Sequence, residues 1–173
     1  MNLVRVITVI LCCLALSIGL AGSASAQIVA LGASNTAGNG VGSSSAFPAQ
    51  LEAMLRARGS SAHVINAGIS GDTTAGMLSR LSSAVPEGTR VVIVQYGGND
   101  FRRNVSPSTR QSNIANIESQ LRARKIRVVR ADGYVRAAWQ AGMVQPDGIH
   151  YIAHPLSEAM IAHQAQGQIA SGS

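Results

Sequence analysis

The chain of 173 residues is long enough for one domain with its own core and short for two. Because 46% of its residues are hydrophobic and 13% are charged, the composition excludes an intrinsically disordered protein. The formal net charge is +6, and nearly all of the positive charge is arginine, since Lys125 is the only lysine.

The first 26 residues have the pattern of a secretory signal peptide. Arg5 supplies the positive start, residues 6–20 form an almost unbroken apolar run, and Ala24-Ser25-Ala26 is a small-residue exit of the kind that signal peptidase cleaves. The alternative is an uncleaved membrane anchor, but the run is shorter than the roughly 20 residues that a spanning helix needs. We therefore expect cleavage after Ala26, export to the periplasm or medium, and a single mature domain over residues 27–173.

Both cysteines, Cys12 and Cys13, lie inside this predicted signal peptide. The mature domain then has no cysteine, which excludes a disulfide, a thiolate nucleophile and a cysteine-based zinc site. A domain without cysteine is compatible with an oxidising compartment, because no thiol can mispair there.

From Gln27 onward, short apolar runs alternate with amphipathic stretches, which is typical of α/β proteins. The run Val91 to Val94 is apolar on both faces, as in the central strand of a covered parallel sheet. The sequence therefore predicts a three-layer α/β/α domain with a parallel sheet of four to five strands. The predicted elements, in chain order, are strand 27–31, helix 46–58, strand 62–66, helix 73–83, strand 90–96, helix 108–124, strand 127–131, helix 134–141 and helix 155–166.

Helical spacing also predicts which side chains face the core. Asp72 is expected to cap the helix at 73–83, and Pro155 suits the first turn of the last helix. The predicted inward-facing residues are Phe47, Leu51, Met54 and Leu55, then Met77, Leu78 and Leu81, then Ile114, Ile117 and Leu121.

Four polar or glycine-rich segments follow predicted strands or lie near the C-terminus. Ligands of parallel α/β sheets bind beyond the carboxyl ends of the strands, so we expect these segments to converge on one edge. They are Gly32-Ala33-Ser34-Asn35-Thr36, the stretch from Asn66 to Asp72, Gly97-Gly98-Asn99-Asp100, and Asp147-Gly148-Ile149-His150.

These segments contain the groups that acyl transfer needs. Ser34 can act as nucleophile, His150 as its base, and Asp147 can hold the imidazole in one tautomer. The backbone N–H groups of Ser34 and Gly71 and the side-chain amide of Asn99 can donate to a developing oxyanion. No nucleotide, metal or organic cofactor is implied.

In this order, the four segments resemble the conserved blocks of the SGNH (GDSL) hydrolase superfamily, and in particular its small periplasmic acyl-thioesterase and lysophospholipase branch. The resemblance spans nearly the whole mature chain and implies a flavodoxin-like fold. It also implies a serine esterase or thioesterase that works through an acyl-enzyme, with a lysophospholipid or an O-acetylated sugar among the candidate substrates.

The chain departs from the family pattern at two positions. Ala33 stands where the first block usually has aspartate, and Tyr151 follows the last block where proline is usual. The loss of the aspartate leaves the predicted triad complete, but the turn around Ser34 is expected to be less well held. The alternative function is a non-catalytic module on the same scaffold that binds polysaccharide or lipid.

Two further patterns allow other interpretations. Asp147, His150 and His154 have the spacing of a partial zinc site without a clear fourth ligand. A basic group near the predicted fourth strand could attract anionic lipid, polysaccharide or nucleic acid, or could be a solvated helix end. Nucleic acid is disfavoured by export and by the lack of aromatic residues nearby. The group consists of Arg122, Arg124, Lys125, Arg127 and Arg130.

The expected ligand is a small-molecule or lipid ester, and the protein is expected to be a monomer. Near the third block, Phe101 and Val105 favour an acyl chain, whereas Arg102 and Arg103 favour an anionic head group. The sequence does not rank these substrates.

Overall fold

The computed structural model describes residues 27–143, 145–147 and 150. The predicted signal peptide and the predicted helix at 155–166 lie outside these residues. Within them, no helix is both long and apolar enough to cross a membrane.

A parallel sheet of four strands forms the centre of the described domain, as the sequence predicts. The strands are β1 (Gln27–Gly32), β2 (His63–Gly68), β3 (Thr89–Gln95) and β4 (Arg127–Arg130). Their order across the sheet is β2-β1-β3-β4, and every neighbouring pair is parallel. β1 therefore lies inside the sheet, between β2 and β3, and its carboxyl end is surrounded by the loops that follow its neighbours.

Seven helices connect or flank these strands in the described part of the chain. The helices predicted at 46–58, 108–124 and 134–141 are confirmed to within two residues at each end. The helices are α1 (Ser34–Ala37), α2 (Phe47–Ala57), α3 (Thr74–Ser79), α4 (Leu81–Ala84), α5 (Asn99–Arg102), α6 (Pro107–Ala123) and α7 (Asp132–Gln140), with a short 3-10 turn at Ser43–Ser45.

The prediction of one continuous helix at 73–83, capped by Asp72, is wrong on both points. It is divided into α3 and α4 at Arg80, whose backbone (φ −103°, ψ 8°) departs from helical values. The cap of α3 is Thr73, whose hydroxyl accepts a hydrogen bond from Gly76 N at 3.2 Å. Asp72 accepts from Thr73 N at 2.9 Å and from Arg80 Nε at 2.8 Å. Its carboxylate therefore holds the arginine at the break.

The strands divide the core into two apolar layers because successive side chains point to opposite faces. In β1, Ile28 and Ala30 pack against α2 and α7, whereas Val29 and Leu31 pack against α3, α4 and α6. The three-layer architecture is therefore confirmed. The predicted core residues are buried or, for Met54 and Leu78, partly buried against these two layers.

The basic group near β4 is largely occupied with structural contacts. Arg122 and Arg130 both pair with the buried carboxylate of Glu118, and Arg124 donates to the carbonyl oxygen of Val85 at 2.7 Å. Burial alone would raise the pKa of Glu118, but its bonds to Arg130, Arg122 and Tyr96 outweigh this effect and lower it. These contacts favour a structural role for the basic group over the binding of an anionic partner.

Gly68, at the end of β2, lies where α1 packs directly on the strand. A Cβ atom there would be 2.2 Å from Ala37 N and 2.6 Å from the carbonyl carbon of Thr36. Since backbone cannot move aside cheaply, we expect Gly68→Ala to lower the free energy of unfolding by about 1–3 kcal/mol, as measured by urea denaturation. The control is Gly133→Ala in α7, where a Cβ meets open space. That variant is expected to match or exceed the parent, and equal losses in both would contradict the packing argument.

Candidate active site

Ser34 lies at the carboxyl edge of the sheet, immediately after the interior strand β1. The chain leaves β1 at Gly32, turns at Ala33 and enters α1 at Ser34. Among the described residues, neither its hydroxyl nor its backbone N–H has a hydrogen-bond partner, and Ser34 lines a cavity of about 580 Å³. Its hydroxyl is thus available to a ligand in this cavity.

The turn that presents Ser34 is held by contacts that sequence reasoning missed. Thr36 and Gln95 are both buried, and their side chains are joined by a hydrogen bond of 3.0 Å. The carbonyl oxygen of Gly32 accepts from Ile69 N at 3.0 Å and from Arg80 Nη2 at 3.2 Å. The one available signal was Gln95, a polar residue directly after the apolar run Val91 to Val94.

Ala33 occupies the N-cap position of α1 without a side-chain hydrogen bond. It is 2% exposed and packs in the apolar layer formed with α3, α4 and α6. α1 therefore begins without a side-chain cap, while the bond between Thr36 and Gln95 ties it to β3.

The predicted oxyanion donors lie on neighbouring loops. Gly71 has φ +78°, a backbone conformation that favours glycine, and its N–H has no acceptor among the described residues. Asn99 is buried; its Nδ2 donates to the carbonyl oxygen of Asp72 at 2.8 Å, and its Oδ1 accepts from Arg102 Nη1 at 3.1 Å. Because an amide nitrogen carries two hydrogens, the second remains for a ligand in the cavity that Asn99 lines.

A buried network fixes the loop of Gly71 to the loop of Asn99. Asp100 is fully buried and accepts from Thr74 N at 3.1 Å and from Thr74 Oγ1 at 2.6 Å, and Asn113 donates to the same hydroxyl at 3.1 Å. Arg103 Nη2 donates to the carbonyl oxygen of Gly71 at 3.1 Å. Asp100 therefore serves as a scaffold that joins the two loops.

Asp147 and His150 form the second half of the predicted triad, and the structure brings them together. Asp147 Oδ2 is 2.5 Å from His150 Nδ1, and its Oδ1 accepts from the backbone N–H of His150 at 2.9 Å. His150 Nε2 is enclosed and has no hydrogen-bond partner among the described residues, so the expected bond between Ser34 Oγ and Nε2 is absent. Catalytic hydrogen bonds of this kind often tighten only when substrate binds.

Asn39, which the sequence marks only as part of a glycine-rich turn, links the three parts of the site. Its N–H donates to the carbonyl oxygen of Ser34 at 3.0 Å, and its Oδ1 accepts from Ser70 Oγ at 2.6 Å. Its own carbonyl accepts from Gln145 Nε2 at 3.2 Å, and Gln145 N donates to the carbonyl oxygen of His150 at 2.7 Å. Asn39 thus positions the histidine loop against the nucleophile.

The described residues do not form a metal site. No group of three or more histidine, cysteine or acidic side chains that could hold a metal ion occurs among them. Asp147 and His150 are bonded to each other, and His154, the remaining member of the alternative zinc pattern, lies outside the described residues.

The wall of the cavity beside Ser34 has both apolar and charged side chains. Its members include Phe101, Ile114 and Val135, as well as the carboxylate of Asp132. Burial raises the pKa of Asp132, while the charge of Arg110 and backbone hydrogen bonds from residues 97 and 96 oppose that rise. The site can therefore receive a ligand with both apolar and polar parts next to an available serine hydroxyl.

The sequence profile of the GDSL-like Lipase/Acylhydrolase family matches residues 30–169. The chain belongs to this family. The match includes every predicted block of the site, so the family assignment expected from the four segments is confirmed.

Two curated members of the family are similar to this chain. Esterase TesA of Pseudomonas aeruginosa is 35% identical over 118 residues, which are 68% of this chain and 59% of that protein. Thioesterase 1/protease 1/lysophospholipase L1 of Escherichia coli is 33% identical over 102 residues, covering 58% of this chain and 48% of that protein. The chain thus matches about half of the length of these relatives.

Among solved structures, the psychrotrophic esterase EstA from Pseudoalteromonas has the same fold. The TM-score is 0.70 at 19% sequence identity, with 82% of this chain and 97% of that chain covered. Likeness at this identity shows the architecture alone, and it agrees with the three-layer arrangement described above.

Proposed function

We propose that this GDSL-family protein is a serine hydrolase that cuts carboxylic esters or thioesters, with Ser34 as nucleophile, His150 as base and Asp147 as the orienting acid. The observation that carries the proposal is the setting of Ser34. Its hydroxyl, which has no hydrogen-bond partner in the described part of the chain, lines a cavity together with Asn99, whose amide nitrogen donates to the carbonyl oxygen of Asp72. The names of the relatives, an esterase and a thioesterase, agree with this class of reaction.

In the proposed mechanism, Ser34 Oγ attacks the substrate carbonyl carbon while His150 Nε2 takes the hydroxyl proton. The bond between Asp147 and Nδ1 leaves Nε2 as the free nitrogen of the ring, which is the atom the reaction needs. Negative charge on the carbonyl oxygen is stabilised by the N–H groups of Ser34 and Gly71 and by the amide of Asn99. His150 then protonates the departing alcohol or thiol, and water releases the acyl group by the same steps in reverse.

Exposed apolar side chains favour substrates with an acyl chain. Ile69 and Phe101 are the most exposed large hydrophobic residues in the described part of the chain, at 50% and 60%. Ile69 follows β2 beside the Gly71 loop, and Phe101 lines the cavity. Lysophospholipids and short acyl esters both fit this setting, as does an O-acetyl group on a sugar, for which the apolar side chains are not required.

The test is covalent labelling with a fluorophosphonate probe beside a turnover assay with p-nitrophenyl butyrate. We expect steady turnover and a single adduct, located on Ser34 by peptide mass spectrometry, because the probe reacts with serines activated by a base. The heat-denatured protein is the control and should take up no label. A folded protein that neither turns over the ester nor takes up the probe would favour the non-catalytic binding module.

A further inference from the structure

The wall of the cavity beside Ser34 is strongly cationic. Four arginines and one carboxylate line it among the described residues. Arg130 is paired with Glu118. The carboxylate of Asp132 interacts with the charge of Arg110 and accepts backbone N–H groups from residues 96 and 97, so one carboxylate faces the three remaining arginines. Arg102, Arg110 and Arg136 have no carboxylate within salt-bridge distance in the described part of the chain.

Arg110 differs from the other cations of the wall in having an enclosed polar atom without a partner. Its Nε has no hydrogen-bond partner among the described residues, and its Nη2 reaches the carbonyl oxygen of Gly97 only at 3.5 Å, the outer limit of a hydrogen bond. The guanidinium carbon lies 5.3 Å from the ring centroid of Phe101, within the range of a cation–π contact. Enclosing an N–H group without an acceptor costs free energy, and an anion in the cavity would supply that acceptor.

The position of Arg110 connects this charge to the reacting groups. Gly97 precedes Gly98 and Asn99, so the Arg110 guanidinium lies next to the loop that carries a proposed oxyanion donor. Ser34, Asn99 and Arg110 line the same cavity. A ligand whose carbonyl is at Ser34 can therefore extend towards Arg110 within one continuous space.

We propose that this cavity selects esters that carry a second, anionic group, a carboxylate or phosphate, which Arg110 binds with support from Arg102 and Arg136. The inference rests on the proposed hydrolase function and adds to it the substrate class. Arginine suits this role because its planar fork binds two oxygens of a carboxylate or phosphate at once.

The experiment compares matched anionic and neutral esters, with the anion on either side of the scissile bond. On the acyl side, the anionic ester is mono-p-nitrophenyl glutarate and its neutral partner is p-nitrophenyl valerate. On the alcohol side, the anionic ester is meta-acetoxybenzoate and its neutral partner is meta-acetoxybenzamide. We expect kcat/KM to be about tenfold higher for the anionic member of one pair at low ionic strength, and the advantage should shrink in about 0.5 M salt.

The variant is Arg110→Gln, for which the anionic-to-neutral ratio should fall towards one. Its control is Arg58→Gln, which removes the same charge at the exposed end of α2, before β2 begins at the opposite edge of the sheet. That variant should keep the parental ratio. The salt dependence of the parent tests the same point should Arg110→Gln fail to fold.

The outcomes separate the two proposals. Hydrolysis of all four esters with anionic-to-neutral ratios near one in the parent would overturn the selection for anions and leave the hydrolase function intact. A ratio that falls equally in Arg110→Gln and Arg58→Gln would assign the effect to overall charge and overturn the role of Arg110. Failure to hydrolyse any ester, together with failure to take up the fluorophosphonate, would overturn both.

Discussion

Replacing Ser34 with alanine is expected to lower kcat for ester hydrolysis by about a thousandfold or more and to abolish fluorophosphonate labelling. The variant removes one oxygen, and in the described structure that oxygen makes no hydrogen bond. The turn is held instead by Gly32, Thr36 and Gln95, so the thermal midpoint of unfolding should change little. The loss of activity would then report the chemistry of the hydroxyl and not the folding of the domain.

The matched control is Ser44→Ala in the 3-10 turn that follows α1. Ser44 is exposed and belongs to the same serine-rich loop region, so its removal should leave both turnover and labelling at the parental level. Steady-state kinetics on p-nitrophenyl butyrate with both variants makes the comparison. Parental kcat in the Ser34→Ala protein would exclude Ser34 as nucleophile and would require another serine or a bound water in its place.

The fold could be predicted from sequence because its signals are local and periodic. The apolar run of β3 and the helical spacing of Ile114, Ile117 and Leu121 report burial directly. The helix predicted at 73–83 has the right inward residues, Met77 and Leu81, but its break at Arg80 could not be seen. That break depends on contacts from Arg80 to Asp72 and to the distant Gly32.

The chemical groups of the candidate site could be proposed from the sequence, but the contacts that hold them in place could not. Its four segments are recognisable because each is polar or glycine-rich, and three of them follow predicted strands. The contacts that hold them join residues far apart in the chain: Thr36 to Gln95, and Asp100 to Thr74. No local period encodes such pairs, so only the folded chain reveals them.

The pairing of the arginines also depends on contacts that the sequence does not reveal. The sequence draws attention to the densest basic group, but Arg122 and Arg130 there share the carboxylate of Glu118. Arg110 stands apart in the sequence, yet it reaches the cavity with no carboxylate within salt-bridge distance in the described part of the chain. Charge density along the chain is therefore a poor guide to free charge, because pairing depends on the tertiary neighbours.

Replacing Asn99 should have the second largest effect on kcat, after the replacement of Ser34. We expect Asn99→Ala to lower kcat by about 100- to 1000-fold with a much smaller change in KM, because the lost hydrogen bond forms only as charge develops on the substrate oxygen. The amide is oriented before substrate arrives: Asp72 fixes its nitrogen and Arg102 its oxygen. A donor already in position needs no reorganisation in the transition state.

The alternative explanation is that Asn99 merely braces the loop of Asp72, and Asn113→Ala distinguishes the two. Asn113 donates a side-chain amide hydrogen bond to Thr74, in the same set of loops, but it is not among the residues that line the cavity. Its removal should cost stability of about 1 kcal/mol and leave kcat within a few fold of the parent. If both variants lost activity to the same extent, Asn99 would be a structural brace. A loss confined to Asn99→Ala, in a protein that still unfolds cooperatively, is the result that an oxyanion donor requires.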